Sequence, residues 1–137
     1  MNANRRLSIE RVPGAFAVCR LPAGAGVAEW GGWGAGEGAG EFWTVSGTRD
    51  EVSVTCAESR VPAGIRATKG FALLRLSGEI PFSETGVIAA IAGPLAEARI
   101  SLVPIATYDT DYFLVQQADL ARAVAVLRAA GHTLHGL

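Results

Sequence analysis

The chain has 137 residues, of which 50% are hydrophobic and 18% are charged. This composition predicts a packed core, in one ordinary domain or two very small ones, and excludes a disordered chain. The formal net charge is −1, and Arg5-Arg6 is the only cluster of basic residues, so the sequence carries no electrostatic footprint for nucleic acid. It has neither a membrane-spanning apolar run nor a signal-peptide core, so we expect a cytoplasmic protein without a membrane partner.

The N-terminal half begins with two strand-like runs. Residues 7–11 and 15–21 alternate between apolar and polar side chains, with a break at Pro13-Gly14. The stretch 23–40 is dominated by Gly and Ala, and each Gly weakens a helix by about 1 kcal/mol relative to Ala. We therefore expect only a short helical turn at 28–33, followed by a flexible loop. No strand leads into this loop as a nucleotide-binding fingerprint requires.

Two further strands and a linker complete this half. Residues 42–46 and 52–56 have strand composition, and residues 59–69, with Pro62 and Gly64, read as a linker. Cys19 and Cys56 each lie in a strand-like run and are expected to be small buried hydrophobes.

The C-terminal half opens with a strand and an amphipathic helix. Residues 71–76 predict a strand flanked by glycines, and Ser83 is a candidate helix N-cap. An apolar stripe at helical spacing follows, and Pro94 lies inside it, where the helix should kink or tighten. The stripe consists of Val87, Ile88, Ile91 and Leu95.

Two strands, a helix and a strand then end the chain. Residues 100–105 and 112–116 predict strands, Asp119 should cap the second helix, and Gly131 should end it. Residues 132–135 can form a short final strand.

The order strand, helix, strand, strand, helix, strand is the split βαβ arrangement of the ferredoxin-like sandwich. This α+β fold has an antiparallel sheet with helices on one face. The N-terminal half reads as a degraded version of the same order. We therefore predict two tandem βαββαβ modules, at residues 1–64 and 65–137.

The most polar stretch between two predicted strands is Thr107-Tyr108-Asp109-Thr110-Asp111. Such a loop could pair a carboxylate with a ligand cation and offer threonine hydroxyls. The alternative is an ordinary hairpin loop in which the Asp side chains bond to their own backbone. A calcium site has less support, because the EF-hand pattern needs more carboxylates and a central Gly.

A second candidate is Glu84-Thr85-Gly86, at the predicted start of the first helix. Free N–H groups at a helix start attract carboxylate or phosphate, and Gly86 allows a close approach. The alternative is a plain capped helix. In the ferredoxin-like order this helix start and the polar loop can lie at one edge of the domain.

Motifs for catalysis and metal binding are missing from the sequence. There is no Gly-x-Ser-x-Gly, no Cys-x-x-Cys and no Cys/His cluster. We therefore expect neither an enzyme nor a bound metal or other cofactor.

Several segments resemble the bacterial ACT-domain proteins related to the CASTOR-type arginine sensors. The resemblance rests on residues 77–88, 92–98 and 105–115, and also on 42–46 and 52–62. Its most specific parts are Thr-Tyr-Asp-Thr-Asp-Tyr at 107–112 and Arg-Val-Pro at 60–62. The Gly-rich stretch 23–40 departs from the family pattern.

The resemblance implies two tandem ACT-like modules that bind an amino acid at an interface between modules, within a chain or across a homodimer. By position it points to a ligand site formed by Glu84, Thr85, Gly86, Val87, Thr107, Tyr108, Thr110 and Asp111. The expected function is a non-catalytic regulatory module that senses an amino acid or similar small metabolite. The alternative is an interaction or dimerisation module without a small ligand, in which Trp30 and Trp33 contribute to an interface.

Overall fold

The structure is a computed structural model, and it describes residues 5–27, Trp30 and residues 42–137. Among these residues the strands are β1 (Ser8–Pro22), β2 (Thr44–Gly47), β3 (Glu51–Ala57), β4 (Arg66–Leu76), β5 (Val103–Ala106), β6 (Asp111–Gln116) and β7 (Thr133–His135). The helices are α1 (Val87–Glu97) and α2 (Leu120–Ala129). The chain forms two compact units, unit 1 of Met1–Pro13 and Phe71–Leu137, and unit 2 of Gly14–Gly70.

Unit 1 contains the element order that the C-terminal half predicts: β4, α1, β5, β6, α2, β7. Its strands lie in the order β7, β1, β4, β6, β5, and β6 is antiparallel to both β4 and β5. Residues of β4, β6, α1 and α2 form one apolar core, which includes Leu74, Ile91, Phe113 and Leu127. The predicted α+β fold with an antiparallel sheet is confirmed.

One pairing in this sheet was not predicted. The first residues of β1 run parallel to β7, with Ser8 opposite Thr133 and Glu10 opposite His135. In the same unit β1 also neighbours β4, so the start of the chain lies between the strand that opens the predicted C-terminal module and the strand that ends it. The boundaries 1–64 and 65–137 remain predictions about modules.

Unit 2 is a smaller set of strands with its own core. β2 and β3 form an antiparallel hairpin, and β3 pairs with the second part of β1 from Phe16 to Pro22. One cluster of buried apolar residues in this unit consists of Ala17, Cys19, Leu21, Trp30, Val52, Val54 and Cys56. Apart from Trp30, the predicted helical turn at 28–33 and the loop after it lie outside the described residues.

Two predicted boundaries in the N-terminal half are wrong. Pro13-Gly14 does not end a strand, because Gly14 adopts a φ of 102° and β1 continues through it. The predicted linker at 59–69 overlaps β4, which begins at Arg66. Gly70 has a φ of 85° within that strand, and its N–H is bound by the Glu58 carboxylate at 2.6 Å, so the strand passes through the glycine.

The start of α1 also differs from the prediction. Ser83 is not its N-cap; the helix begins at Val87, after Gly86, without a side-chain cap. The reason is a turn after Pro81, in which the Glu84 N–H donates to the Pro81 carbonyl at 3.0 Å. The turn keeps the chain out of the helix until Gly86, which adopts a left-handed φ of 77°.

The end of α1 explains why the next strand starts late. Arg99 takes a φ of 59°, and the Ile100 N–H donates to the Leu95 carbonyl at 2.9 Å. This closing turn buries Ile100 in the core, so residues 100–102 belong to the helix exit and β5 begins at Val103.

Candidate functional site

A cavity of about 340 Å³ lies beside the start of α1 in unit 1. That volume is at the lower end of the range of about 300–1,000 Å³ for small-molecule sites. One wall comes from the segment before the helix and its first turn, and the other from the β5–β6 hairpin. The lining residues are Ile80, Pro81, Phe82, Glu84, Gly86, Val87, Ile88, Ala89, Ala106, Thr107 and Asp111.

The helix start supplies backbone donors to this cavity. The first intrahelical hydrogen bond of α1 runs from the Ala90 N–H to the Gly86 carbonyl at 3.0 Å. The N–H groups of Val87, Ile88 and Ala89 precede it and have no intrahelical acceptor. Their residues line the cavity, and the partial positive charge of a helix N-terminus favours an anionic group there.

The opposite wall is a loop closed by its own threonines. The Thr107 N–H donates to the Thr110 carbonyl at 2.9 Å, and the Thr107 hydroxyl donates to the same oxygen at 3.0 Å. The hydroxyl of Thr110 is buried and donates to the Leu76 carbonyl at 2.9 Å. Both hydroxyls therefore shape the loop and fix it to the end of β4.

The two candidate segments of the sequence touch each other. The Ile80 N–H donates to the Asp109 carbonyl at 2.7 Å. At the surface the Phe82 and Tyr108 rings pack edge to face, with centroids 5.2 Å apart and an interplanar angle of 86°. The segment before α1 and the β5–β6 loop are thus held together as neighbouring walls of one cavity.

The two carboxylates at the cavity differ in their partners. The Glu84 carboxylate forms an ion pair with Arg5, with Oε1 and Nη2 3.1 Å apart. The Asp111 carboxylate is half-buried and has no ion pair or side-chain hydrogen bond within the described residues. Of the described residues that line this cavity, Asp111 is therefore the one with an uncompensated negative charge.

Five of the eight predicted ligand-site residues line the cavity: Glu84, Gly86, Val87, Thr107 and Asp111. The other three lie outside the lining. Thr85 is exposed, Tyr108 is 82% exposed beside Phe82, and Thr110 is buried beneath the loop. A binding role for any of the eight remains a prediction.

The apolar lining was missed by the sequence analysis. Ile80, Pro81 and Phe82 form part of it, together with Ile88 and Ala89 on the first turn of α1. A signal was present, because Ile80-Pro81-Phe82 is a run of three apolar residues inside a polar stretch. A side chain that lines a cavity has the same apolar character as one that packs in a core, so the pattern alone does not separate them.

Side chains with other chemistry serve structure. Cys19 and Cys56 are buried, and burial raises the pKa of the Cys19 thiol, while a hydrogen bond with Cys56 and the charge of Lys69 oppose that rise. His132 is buried between backbone groups of Leu7 and Ala90.

The described part of the chain has no group of three His, Cys, Asp or Glu side chains placed to hold a metal ion. None of its helices is both long enough and apolar enough to cross a bilayer.

Part of this chain is similar to a known family, the ACT domain. The sequence model of the ACT domain matches residues 66–129, a little under half of the chain. The match includes α1, the β5–β6 loop and all of α2. It supports the ACT-type part of the resemblance for this segment.

Curated proteins and solved structures are also similar to this chain. The human cytosolic arginine sensor for mTORC1 subunit 1 is 39% identical over 57 residues, which cover 41% of this chain and 17% of that protein. A crystal structure from Agobacterium tumefaciens is 28% identical, with a TM-score of 0.84, and the alignment covers 95% of this chain and 92% of that one. The ligand-free regulatory subunit of aspartate kinase from Thermus thermophilus shares the fold alone, with a TM-score of 0.55, 11% identity, and coverage of 85% and 91%.

Proposed function

We propose that this chain is a non-catalytic regulatory module that binds an amino acid or a similar small zwitterion in the cavity at the start of α1. The observation that carries the proposal is the position of opposite charges on the two walls. The helix start offers N–H donors to a carboxylate, and Asp111, whose side chain no described residue pairs, offers a carboxylate to an ammonium group. The apolar lining leaves room for a side chain between them.

The comparisons support a regulatory role for a chain that binds such a ligand. An ACT-domain match covers the segment that contains the cavity, and the human relative is named as an arginine sensor. The similar Thermus thermophilus fold is named as a regulatory subunit of a kinase. These names describe those proteins; for this chain they favour ligand sensing, and the ligand itself is left to experiment.

The finer parts of the proposal concern organisation. We infer tandem ACT-like modules at residues 1–64 and 65–137, and a homodimer in the cytoplasm of a bacterium. Pairing through sheet edges would bury strands that otherwise expose unpaired backbone groups. Light scattering at tens of micromolar protein tests the dimer; a monomer that stays a monomer with ligand would contradict it.

A specific observation also supports the alternative of an interaction module without a small ligand. Phe82 and Tyr108 are 74% and 82% exposed and contact each other at the cavity rim. Exposed aromatic side chains are enriched at protein interfaces. On this alternative the cavity would stay empty and the aromatic pair would contact another protein.

A thermal-shift screen of the proteinogenic amino acids at millimolar concentration separates the two functions. A free ligand concentration of about 100 times Kd raises the free energy of unfolding by about 2.7 kcal/mol. The resulting increase in melting temperature is readily measured. At least one amino acid should stabilise the wild-type chain, and the same ligand should stabilise Asp111→Asn less. No shift with any of them would contradict ligand sensing and leave the interaction module.

A further inference from the structure

We propose that Arg5 sets the ligand specificity of the cavity, by restricting it to amino acids whose side chain carries no positive charge. This inference rests on the proposed amino-acid function and adds a residue that neither the predicted site nor the cavity lining includes.

Arg5 is delivered to the cavity rim by a fixed stretch of backbone. The Leu7 N–H donates to His132 Nδ1 at 3.1 Å, and the Thr133 N–H donates to the Leu7 carbonyl at 2.9 Å. Next to them, the Arg6 guanidinium packs over Gly131. Residues 6 and 7 are therefore held against the end of α2 and the start of β7, which fixes the position from which the Arg5 side chain extends.

The Arg5 side chain depends on Glu84 for its partner. Nη2 lies 3.1 Å from Glu84 Oε1, and the side chain is only 23% exposed. Its Nε atom is buried and has no hydrogen-bond partner among residues 5–27, 30 and 42–137. Within the described residues Glu84 is the acidic partner of this guanidinium, and its side chain is 44% exposed, so solvent partly screens the pair.

Among the described residues the ion pair leaves the cavity with one uncompensated charge. Glu84 is neutralised by Arg5, whereas Asp111 has no ionic partner in the part of the chain that the structure describes. An α-amino acid with an apolar side chain satisfies this arrangement: its ammonium group faces Asp111, its carboxylate faces the N–H groups of α1, and its side chain faces the apolar lining. A second cation on the ligand would need Glu84 and would have to displace or approach Arg5, which like-charge repulsion opposes.

A matched pair of probes isolates that second cation. L-norleucine and L-lysine have the same carbon chain and differ by the ammonium group at its end. Calorimetric titration of each into wild-type protein should give tighter binding of norleucine. Arg5→Gln should raise the ratio of lysine affinity to norleucine affinity by about ten-fold, because Glu84 becomes available, which corresponds to about 1.4 kcal/mol. Glu84→Gln should move the ratio the other way, because it leaves the Arg5 charge uncompensated.

Arg128→Gln is the control, since Arg128 is exposed on α2 and its loss changes the net charge equally. It should leave the ratio unchanged. Tighter binding of lysine to the wild type, or an unchanged ratio in both Arg5→Gln and Glu84→Gln, would overturn the specificity role and leave the proposed function intact. Failure of both probes and of every proteinogenic amino acid to bind the wild type would overturn both. If Arg5→Gln does not fold, the opposite shift in Glu84→Gln decides alone.

Discussion

The Nε2 atom of His132 lies 3.0 Å from the carbonyl oxygen of Ala90. That carbonyl is the one that Pro94 leaves unsatisfied, because a residue four positions on in a helix would normally donate its N–H there and proline has none. The other ring nitrogen, Nδ1, accepts the Leu7 N–H at 3.1 Å. These two bonds place the ring proton on Nε2 and let α1 run three residues past its proline, to Glu97.

A double-mutant cycle on His132 and Pro94 should reveal this compensation. His132→Ala should lower the free energy of unfolding by about 2–4 kcal/mol, since it opens a cavity and leaves buried backbone groups unpaired. In a Pro94→Ala background residue 94 regains an N–H for the Ala90 carbonyl, so the same change should cost about 1 kcal/mol less. Urea unfolding of the four proteins measures this. Additive effects within about 0.3 kcal/mol would contradict the compensation.

Two glycines of the same region should respond in opposite ways to alanine. Gly86 has a left-handed φ of 77°, so Gly86→Ala should cost about 1–2 kcal/mol of stability. Gly93 lies exposed inside α1 with nothing within 4 Å of an added Cβ, so Gly93→Ala should stabilise by about 0.5–1 kcal/mol. Chemical denaturation gives both values. If Gly86→Ala changed the stability by the same amount and in the same direction as Gly93→Ala, Gly86 would not hold its left-handed conformation in solution.

The cysteines should be unreactive until the chain unfolds. Cys19 is 1% exposed and Cys56 is 0% exposed, and burial raises the pKa of the Cys19 thiol. Less thiolate therefore forms in the folded than in the unfolded protein at the same pH. The contribution of this thiol to stability is complete below the ordinary thiol pKa of about 8.5 and declines as the pH rises beyond it.

Titration with a disulfide reagent such as DTNB at pH 8 measures this protection. The native protein should react slowly with DTNB. The protein unfolded in guanidinium should release two equivalents of thionitrobenzoate at once, one for each Cys. Immediate reaction of the native protein would show that the core of unit 2 opens readily.

The two aspartates of the β5–β6 loop should differ in ligand binding. Asp111 lines the cavity with an unpaired carboxylate, so Asp111→Asn should weaken binding about ten-fold or more, which is about 1.4 kcal/mol. Asp109 is exposed and contributes its backbone carbonyl to Ile80, so Asp109→Asn should change affinity little. Calorimetry with the amino acid found by screening compares them. If Asp111→Asn bound the amino acid as tightly as the wild type, Asp111 would not contact the ligand and would be an ordinary loop residue.

Local pattern was enough to predict most of unit 1, because its elements depend on side chains near one another in the sequence. The apolar stripe from Val87 to Leu95 predicts α1, and Asp119 and Gly131 bracket α2. Contacts between residues far apart in the sequence could not be predicted in this way. The pairing of Ser8 with Thr133 joins the two ends of the chain, and neither segment differs in composition from an edge strand.

In the candidate site, too, the residues that stand out locally could be predicted, and those that depend on long-range contacts could not. The polar residues Glu84, Thr107 and Asp111 stand out in their segments and were predicted. Arg5 was not connected with them, because its approach to Glu84 depends on the β1–β7 pairing that brings the start of the chain to unit 1. The start of α1 was misplaced, because Ser83 and Gly86 both suit the end of a loop and only the Pro81 turn decides between them.

The most direct test of ligand sensing is an amide chemical-shift titration of the ¹⁵N-labelled chain with the amino acid that stabilises it most. Binding in this cavity should shift the amides of Val87, Ile88 and Ala89 and those of residues 107–111, because the former donate to the ligand carboxylate and the latter line the opposite wall. Amides of Leu120–Ala129 in α2 should stay in place. Saturating ligand that leaves both walls unshifted, or shifts only residues elsewhere, would contradict the account.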